Sequence, residues 1–401
     1  MPVVVFSSLG HLYIHLYMAF YFVIVLALEV DWRLPYHELL ELWTLGALMI
    51  GAAALPAGML GDRIGASAMM VVFFVGIGSC SVLAGFADSR LTLFLALTGI
   101  GIFASIYHPV GIPWLVRNAG THKGKALGFN GVFGSLGTAV AGLTAGALID
   151  LISWRAAFIV PGSICVGTGL VLLWYVKRGM FEDQGDHIEK VEQPSREDRV
   201  RVFVILLITI FFASLIYTST QTALPKVFEL RREGLVGEGA LAIGMLVAAV
   251  YSAAGIMQLL GGHLADRYPL KYVYLGALIL QIPLLWLAAS HGGMTLVVVA
   301  MFMVMANVGA IPAENMLLAA YTPAKRHGLV FGLKFVLFFC VAPLGILFVA
   351  FIAELTSEFY WLFTSLSLFA AFALSAAIWL PRPRNAEFEG RTNSVSAQGL
   401  Q

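Results

Sequence analysis

Long apolar runs alternate with short polar links along almost the whole chain. Each run is about 20 residues long, which is the length a helix needs to cross roughly 30 Å of hydrocarbon, whereas a β-barrel strand needs only about 10 alternating residues. The pattern therefore predicts an all-α membrane protein with twelve transmembrane helices. The predicted spans cover residues 5–29, 38–61, 66–87, 91–114, 125–149, 154–176, 201–225, 239–263, 270–290, 294–319, 328–353 and 358–380.

A short polar motif occurs twice, at the end of the second predicted span of each half of the chain. The first copy reads GMLGDRIG over residues 58–65, and the second reads GHLADR over residues 262–267. The copies lie 204 positions apart, and the same offset relates Gly128 to Gly332. The repeat predicts two pseudo-symmetric halves of six helices, each with an acidic and a basic residue after its second helix.

Composition supports a membrane protein and excludes an ordinary soluble domain. Hydrophobic residues make up 60% of the chain, charged residues make up 12%, and the mean hydropathy is +0.88, whereas about a quarter of the residues of a soluble domain are charged. Cys80, Cys165 and Cys340 all fall inside apolar runs. We therefore expect packing thiols and neither a disulfide nor a metal site from these cysteines.

The basic residues lie unevenly on the two sides that twelve spans define. Placing the N-terminus in the cytoplasm puts 17 of the 24 Lys and Arg residues on that side and 6 on the other, with Lys334 inside a span. Basic loops stay preferentially in the cytoplasm. The distribution predicts a multi-pass protein of the cell's inner membrane with both termini cytoplasmic.

Two polar segments complete the predicted organisation. Residues 177–200 form the one long charged internal segment and are interpreted as a solvated cytoplasmic linker, and residues 381–401 are interpreted as a disordered cytoplasmic tail. The predicted domains are therefore an N-terminal half at 1–176 and a C-terminal half at 201–380.

The doubled motif resembles the loop signature of the major facilitator superfamily, a family of transporters built from two such halves. The resemblance implies alternating access, in which the two halves rock around a central site near mid-membrane. It also implies that the motif's acidic and basic residues hold the cytoplasmic side closed in the outward-facing state. An alternative is that these charges only mark the membrane boundary. The candidate gating residues are Gly58, Asp62, Arg63, Asp266 and Arg267.

Within that superfamily, two short stretches are similar to the fosmidomycin-resistance-type exporters. They are Gly10 and His11 in the first span, and Tyr107, His108 and Pro109 in the fourth. The chain departs from the common drug-exporter pattern, because the fourth span lacks a central arginine and the fifth lacks a clear glycine-proline signature.

Ionisable groups inside the predicted spans are functional candidates, because burying them in hydrocarbon is costly. They are His11, His15, His108, Glu314 and Lys334. All but His15 lie about five or six residues inside the cytoplasmic ends of their helices, which puts them at roughly one level. His15 lies one turn deeper than His11 on the same helix face.

Lys334 needs a partner, which Glu314 on the preceding span can supply. One interpretation is a structural ion pair between the two. The other is that Lys334 attracts an anionic substrate while Glu314 exchanges protons. The repeat aligns Lys334 with Asn130, so that this charge belongs to one half alone, which slightly favours a substrate role.

The histidines have several possible roles. Proton handling or polar packing is favoured over metal binding, because a histidine pair needs further ligands to hold a transition metal. His108 and Glu314 would complete such a set only if their helix faces converge. Asn130, Gln221 and Asn307 are further candidates for the site that handles substrate and protons.

Together these features predict a secondary active transporter, and no enzyme, that moves a small organic solute with proton coupling and with export slightly favoured over uptake. The more specific hypothesis is that this solute is an anion. The alternatives are an uptake symporter for an organic anion, a transition-metal transporter using the first-helix histidines, and a non-transporting receptor or assembly factor. Direct coupling to ATP is not expected, because the chain lacks a GxxxxGK[ST] nucleotide-binding loop. No cofactor is expected. The expected partners are the solute, protons and the lipid bilayer, without nucleic acid, and the protein is expected to be a monomer.

Overall fold

The computed structural model describes residues 2–120, 123–181, 195–234, 237–323, 326–356 and 358–381. Every regular element in these residues is helical. Most of the predicted linker and nearly all of the predicted tail lie outside the described residues.

Twelve helical spans, here numbered α1 to α12, account for the described chain. Eleven are long and apolar enough to cross a membrane, and a bent pair of helices makes the twelfth. This confirms the predicted all-α fold. In chain order the spans are Pro2–Trp32, Tyr36–Ala52 with Ala54–Ile64, Ala66–Gly85, Arg90–Asn118, Lys123–Leu151, Trp154–Lys177, Arg196–Leu230, Gly239–Arg267, Leu270–Ser290, Gly293–Ala320, His327–Thr356 and Tyr360–Ala377.

Three of these spans are interrupted where the sequence predicted continuous helices, and in α1 the interruption is a single turn residue, Phe20. Span α2 bends by 49° at Ala53, because Pro56 lacks the N–H that would bond to the carbonyl one turn earlier. Span α4 contains a π-helical turn, Tyr107–Gly111, around Pro109. Such turns accommodate one extra residue per turn and are frequent at functional sites.

Span α7 begins at Arg196 and not at the predicted residue 201. Ser195 is the reason, because its hydroxyl accepts a hydrogen bond from the Asp198 backbone N–H at 3.1 Å and thereby caps the helix. Glu197 and Asp198 add favourable negative charge to the first turn.

The first motif copy ends its helix with a glycine in a special conformation. Span α2 stops at Ile64, and Gly65 has a φ of 91°, which glycine adopts without strain. Pro269 stands at the equivalent position of the second copy.

The two halves contact each other along α5 with α8 and along α2 with α11, where small residues allow close approach. A Cβ on Gly244 would collide with the carbonyl oxygen of Gly142, and one on Gly146 would collide with that of Ala240. Between α2 and α11, a Cβ on Gly51 would lie 2.7 Å from the Cys340 Sγ. Close backbone contact of this kind holds membrane helices together.

Polar contacts join the halves at the face opposite the doubled motif, here called the closed face. The Asp150 carboxylate accepts hydrogen bonds from the backbone N–H groups of Ala240 and Leu241, at 3.0 and 2.8 Å, at the start of α8. The Lys226 ammonium pairs with Glu29 of the other half at 2.6 Å. Charge-assisted bonds of this kind are stronger than neutral ones, so the closed face is well sealed.

The halves diverge toward the face that carries the doubled motif, here called the hinge face. A Cβ on Gly128, Gly262 or Gly332 would meet no heavy atom within 4 Å. The candidate gating charges, Asp62, Arg63, Asp266 and Arg267, are all exposed. Among the described residues none of the four has an ion-pair partner. The cavity between the halves therefore opens toward the hinge face.

One stability prediction arises from the contact between α1 and α5. Gly137→Ala would place a Cβ against the carbonyl oxygen of Leu12, and overpacking of this kind costs about 1–3 kcal/mol. We expect a lower thermal unfolding temperature in detergent. Gly128→Ala on the same helix is the control, because its Cβ meets open space and alanine favours the helix by about 1 kcal/mol. Equal unfolding temperatures for the two variants would contradict the close packing of α1 against α5.

Candidate functional site

A cavity of about 250 Å³ lies between the two halves. It is lined by apolar and aromatic side chains with a few polar groups, the usual composition of a site for a small organic ligand. Six of the eight residues predicted for substrate or proton handling line it, namely His11, His15, His108, Asn307, Glu314 and Lys334. The structure thus brings candidate groups from both halves together on one cavity.

The C-terminal half contributes a buried ion pair. Lys334 on α11 lies 2.5 Å from the Glu314 carboxylate on α10, and both side chains are more than nine-tenths buried. Each partner has one further bond: Lys334 donates to the Asn315 side-chain oxygen at 2.5 Å, and the Tyr274 hydroxyl donates to Glu314 at 3.0 Å. The pair is therefore held by three helices and has partners for both charges, as burial requires.

The N-terminal half carries a neutral network at the equivalent position. Asn130, which the repeat aligns with Lys334, exchanges hydrogen bonds with the Tyr107 hydroxyl at 2.9 and 3.1 Å. It also donates to the Ser7 hydroxyl at 3.3 Å. Asn130 does not line the cavity but lies behind its wall. The C-terminal half thus carries charged side chains at a position where the N-terminal half carries neutral ones.

Three histidines of the N-terminal half converge on the cavity wall. His11 and His15 come from α1, and His108 comes from the π-helical turn of α4. The ring of His11 lies 4.9 Å from that of His15 and 5.7 Å from that of His108, measured between centroids. The backbone carbonyl of Asn130 lies 2.8 Å from the His11 Nδ1 and fixes the orientation of that ring.

His108 also connects the two halves. Its ring stacks on Phe335 with a centroid separation of 4.8 Å, and it contacts Phe339 at 5.0 Å. Phe335 directly follows Lys334 on α11, so the histidines and the ion pair are neighbours across the cavity. The ring nitrogens of His108 are buried and have no hydrogen-bond partner among the described residues.

Gln221 does not line the main cavity, unlike the other predicted cavity candidate, Asn307. It is buried in α7 and donates to the Tyr217 hydroxyl at 3.3 Å. Tyr217 itself lines the cavity, so Gln221 supports the wall from behind.

The sequence interpretation missed several polar residues of the cavity. Gln258 of α8 accepts a hydrogen bond from the Ser135 hydroxyl of α5 at 3.0 Å, which joins the halves beside the cavity. Gln281 of α9 is buried, and its side-chain nitrogen has no partner among the described residues. A polar residue inside an apolar run, the signal used for Gln221 and Asn307, would have identified both glutamines.

The family of the chain follows from comparison with known proteins. Residues 8–242 and 236–397 match the Major Facilitator Superfamily. The match covers almost the whole chain, and the chain belongs to this family. This confirms the resemblance seen in the doubled motif and the prediction that the protein is not an enzyme. The match to fosmidomycin-resistance-type exporters stays a prediction.

Curated relatives cover only part of the chain. A probable 4-methylmuconolactone transporter of Cupriavidus pinatubonensis is 32% identical over 34% of this chain and 34% of its own length. The puromycin resistance protein pur8 of Streptomyces alboniger is 33% identical over 28% of this chain and 23% of its own length. The multidrug efflux pump LfrA of Mycolicibacterium smegmatis is 29% identical over 30% of this chain and 25% of its own length. The chain thus spans about a third or less of the length of these relatives.

Solved structures share the fold over nearly the full length. A bacterial homologue of the human lysosomal transporter Spinster, inward-facing and unoccupied, superposes with a TM-score of 0.70 at 14% identity, covering 94% of each chain. The same protein in its inward-facing and occupied conformation gives a TM-score of 0.71. At this identity the likeness concerns the fold alone.

Proposed function

We propose that this protein is a secondary active transporter that moves a small organic anion across the membrane in exchange with, or together with, protons. The observation that carries the proposal is the buried Lys334–Glu314 pair on a cavity between two halves that are joined at one face and separated at the other. A site that faces one side at a time is what alternating access requires. The names of the relatives, which refer to a lactone transporter, a puromycin resistance protein and a multidrug efflux pump, agree with a small organic solute.

The ion pair suggests how protons and solute are coupled. Protonation of Glu314 removes its negative charge, and Lys334 then needs another anion, because an unpaired ammonium in a buried site is costly. The anionic group of the solute supplies that charge. When the solute leaves, Glu314 releases its proton and pairs with Lys334 again. In this scheme proton and anion move in the same direction, so export would be driven by the outward gradient of the solute. Tyr274 and Asn315 keep both side chains in place during the exchange.

The doubled motif is proposed to close the hinge face during the cycle. Asp62 and Arg63 lie in the last turn of α2, and Asp266 and Arg267 lie in the last turn of α8. All four are exposed and form no ion pair with a described residue while the halves are apart at this face. Approach of the halves would bring the four charges into contact. Gly58 of the same motif packs on Pro109 of α4, where an added Cβ would lie 3.3 Å from the proline Cβ.

Location and direction are parts of the same proposal. The charge distribution supports a location in the cell's inner membrane with the hinge face and both termini in the cytoplasm. The structure then corresponds to an inward-open state. Export is favoured over uptake, because of the resemblance of Gly10, His11 and the Tyr107-His108-Pro109 stretch to an exporter family and because two relatives are a resistance protein and an efflux pump.

Reconstitution into sealed vesicles tests the proposal. We first expect a thermal-shift screen of carboxylates, phosphonates, sugars and cations to find an anion that stabilises the purified protein, because a ligand of the folded state raises apparent stability. Addition of that anion to proteoliposomes should then change the pH inside the vesicles, and an imposed pH gradient should accelerate its movement.

Protein-free vesicles and proteoliposomes of the Glu38→Gln variant, which alters a partly exposed carboxylate outside the cavity, are the controls for this experiment. The former should show no pH change and the latter a normal one. Solute movement that is indifferent to the pH gradient would refute proton coupling. Binding without any flux would instead favour a receptor on a transporter scaffold.

A further inference from the structure

We propose that His11, His15 and His108 form a binding site for one divalent transition-metal ion of the zinc class, with a fourth coordination position open to the cavity. This inference does not rest on the transport function, because metal binding is measured on the purified protein without a gradient.

The three side chains offer nitrogen ligands at one place. One ring nitrogen from each histidine can be chosen so that all three lie within 4.8 Å of one another. The ligand nitrogens of a tetrahedral zinc ion lie roughly 3.3 Å apart, given Zn–N distances of about 2.0–2.1 Å. Rotation of the His15 and His108 rings would close the remaining difference, while the Asn130 carbonyl holds the His11 ring. Three histidines and one open position form the ligand set of a zinc ion that accepts an exchangeable fourth ligand.

The contact of His11 with Asn130 has the form that accompanies metal ligands. The His11 Nδ1 lies 2.8 Å from the Asn130 backbone carbonyl, which only accepts hydrogen bonds. Nδ1 must therefore carry the proton, and Nε2 keeps a free lone pair. A second nitrogen that donates to a carbonyl fixes the tautomer and orientation of a ligating histidine. Gly134 makes room for this ring, since a Cβ there would lie 2.7 Å from the His11 Nε2.

His108 provides an independent observation that favours a ligand at this place. The residue is buried, with 8% of its surface exposed, it lines the cavity, and neither ring nitrogen has a partner among the described residues. A buried polar group without a partner costs about 1–3 kcal/mol. A metal ion bound to one ring nitrogen provides such a partner.

The local charges permit a cation. The other strongly ionisable side chains on the cavity wall are Lys334 and Glu314, and their mutual contact offsets the two charges. Three neutral imidazoles leave the full charge of the metal uncompensated. The open fourth position therefore favours an anionic oxygen or a water molecule from the cavity. Imidazole ligands select zinc, copper, nickel and cobalt over magnesium and calcium.

Cobalt binding followed by visible absorption tests the proposal. Co²⁺ is titrated into the purified protein after removal of any histidine tag. We expect the intense absorption of four-coordinate cobalt, its loss on addition of Zn²⁺ and no change on addition of Mg²⁺. Azide, a small anion, should shift the absorption by occupying the open position. An unchanged azide spectrum would refute the open position, and absence of the four-coordinate absorption would refute the site.

Substitutions assign the ligands. His15→Ala and His108→Ala should each weaken cobalt binding by about 10-fold or more, since even indirect contacts to a metal are worth about 10–100-fold. Gly134→Ala should weaken binding while all three imidazoles remain, because it displaces the His11 ring. His263→Ala removes an exposed histidine outside the cavity and is the matched control.

Thermal unfolding without metal verifies that each variant is folded. If His108→Ala does not fold, His15→Ala and Gly134→Ala carry the test, because His15 is only partly buried. Cobalt affinity that is unchanged in folded His15→Ala protein overturns the proposal.

Discussion

Glu314→Gln and Lys334→Ala are each expected to abolish solute transport in proteoliposomes. In the first variant the carboxylate can no longer gain and lose a proton, so the charge on Lys334 is never exchanged between Glu314 and the solute. In the second variant the cavity loses the cation that attracts an anionic solute. Uptake of labelled solute into vesicles, with the amount of inserted protein measured in parallel, checks both expectations.

Variants of the same ion pair allow an effect on transport to be distinguished from an effect on stability. Removing one member of a buried ion pair costs about 3–5 kcal/mol, whereas replacing both members by neutral groups of similar size is often nearly neutral. We therefore expect Lys334→Met to lower the unfolding temperature and the double variant Glu314→Gln/Lys334→Met to recover most of it without recovering transport. Recovered stability together with lost transport would assign the pair to the mechanism.

Glu38→Gln is the matched control for these variants. Glu38 pairs with Arg90 at 2.5 Å, but both side chains are substantially exposed, and exposed pairs contribute about 0–1 kcal/mol. Its transport and stability should be close to those of the unaltered protein. Native transport by folded Glu314→Gln or Lys334→Ala protein would remove that residue from the mechanism and leave the pair a structural one.

Cross-linking the closed face is expected to stop transport completely. Glu29 of α1 and Lys226 of α7 touch at 2.6 Å and belong to different halves. Cysteines at both positions, joined by a short cleavable bis-thiol reagent, would prevent the halves from separating there. The protein would then stay open toward the hinge face, where solute binds but is not released on the other side. Cleavage of the reagent should restore transport.

A cross-link of the same kind within one half provides the comparison. Cysteines at positions 38 and 90 replace an ion pair that lies entirely in the N-terminal half, so joining them should leave transport nearly unchanged. The native cysteines are present in both proteins, so any reaction at these thiols affects them equally. Continued transport after complete cross-linking of positions 29 and 226 would refute separation of the halves at the closed face.

Much of the fold was predictable because bilayer thickness imposes a length on every helix. Twelve apolar runs follow from this constraint, and the doubled motif indicates the division into halves. Local interruptions were harder to predict. Pro56 bends α2, whereas Pro161 lies within α6 without breaking the helix, so the presence of a proline did not by itself locate a bend.

The residues of the candidate site were predictable, because ionisable groups inside an apolar span are costly to bury. Their arrangement around the cavity was not. Depth along each helix placed His11, His108, Glu314 and Lys334 at one level. The direction each side chain faces depends on helix rotation, which the π-helical turn of α4 alters around His108. That Asn130 lies behind the wall while His15 lines the cavity could not be derived from spacing, because it depends on how α1, α4 and α5 pack together.

The seal at the closed face makes access to the cavity one-sided in this conformation. A polar compound that cannot cross the bilayer would reach the histidines and the ion pair from the hinge face alone. The potency of such an inhibitor would then depend on the side of the membrane to which it is applied. A compound that fills the cavity from that side would also wedge the halves apart and block the return step, whatever its likeness to the natural solute.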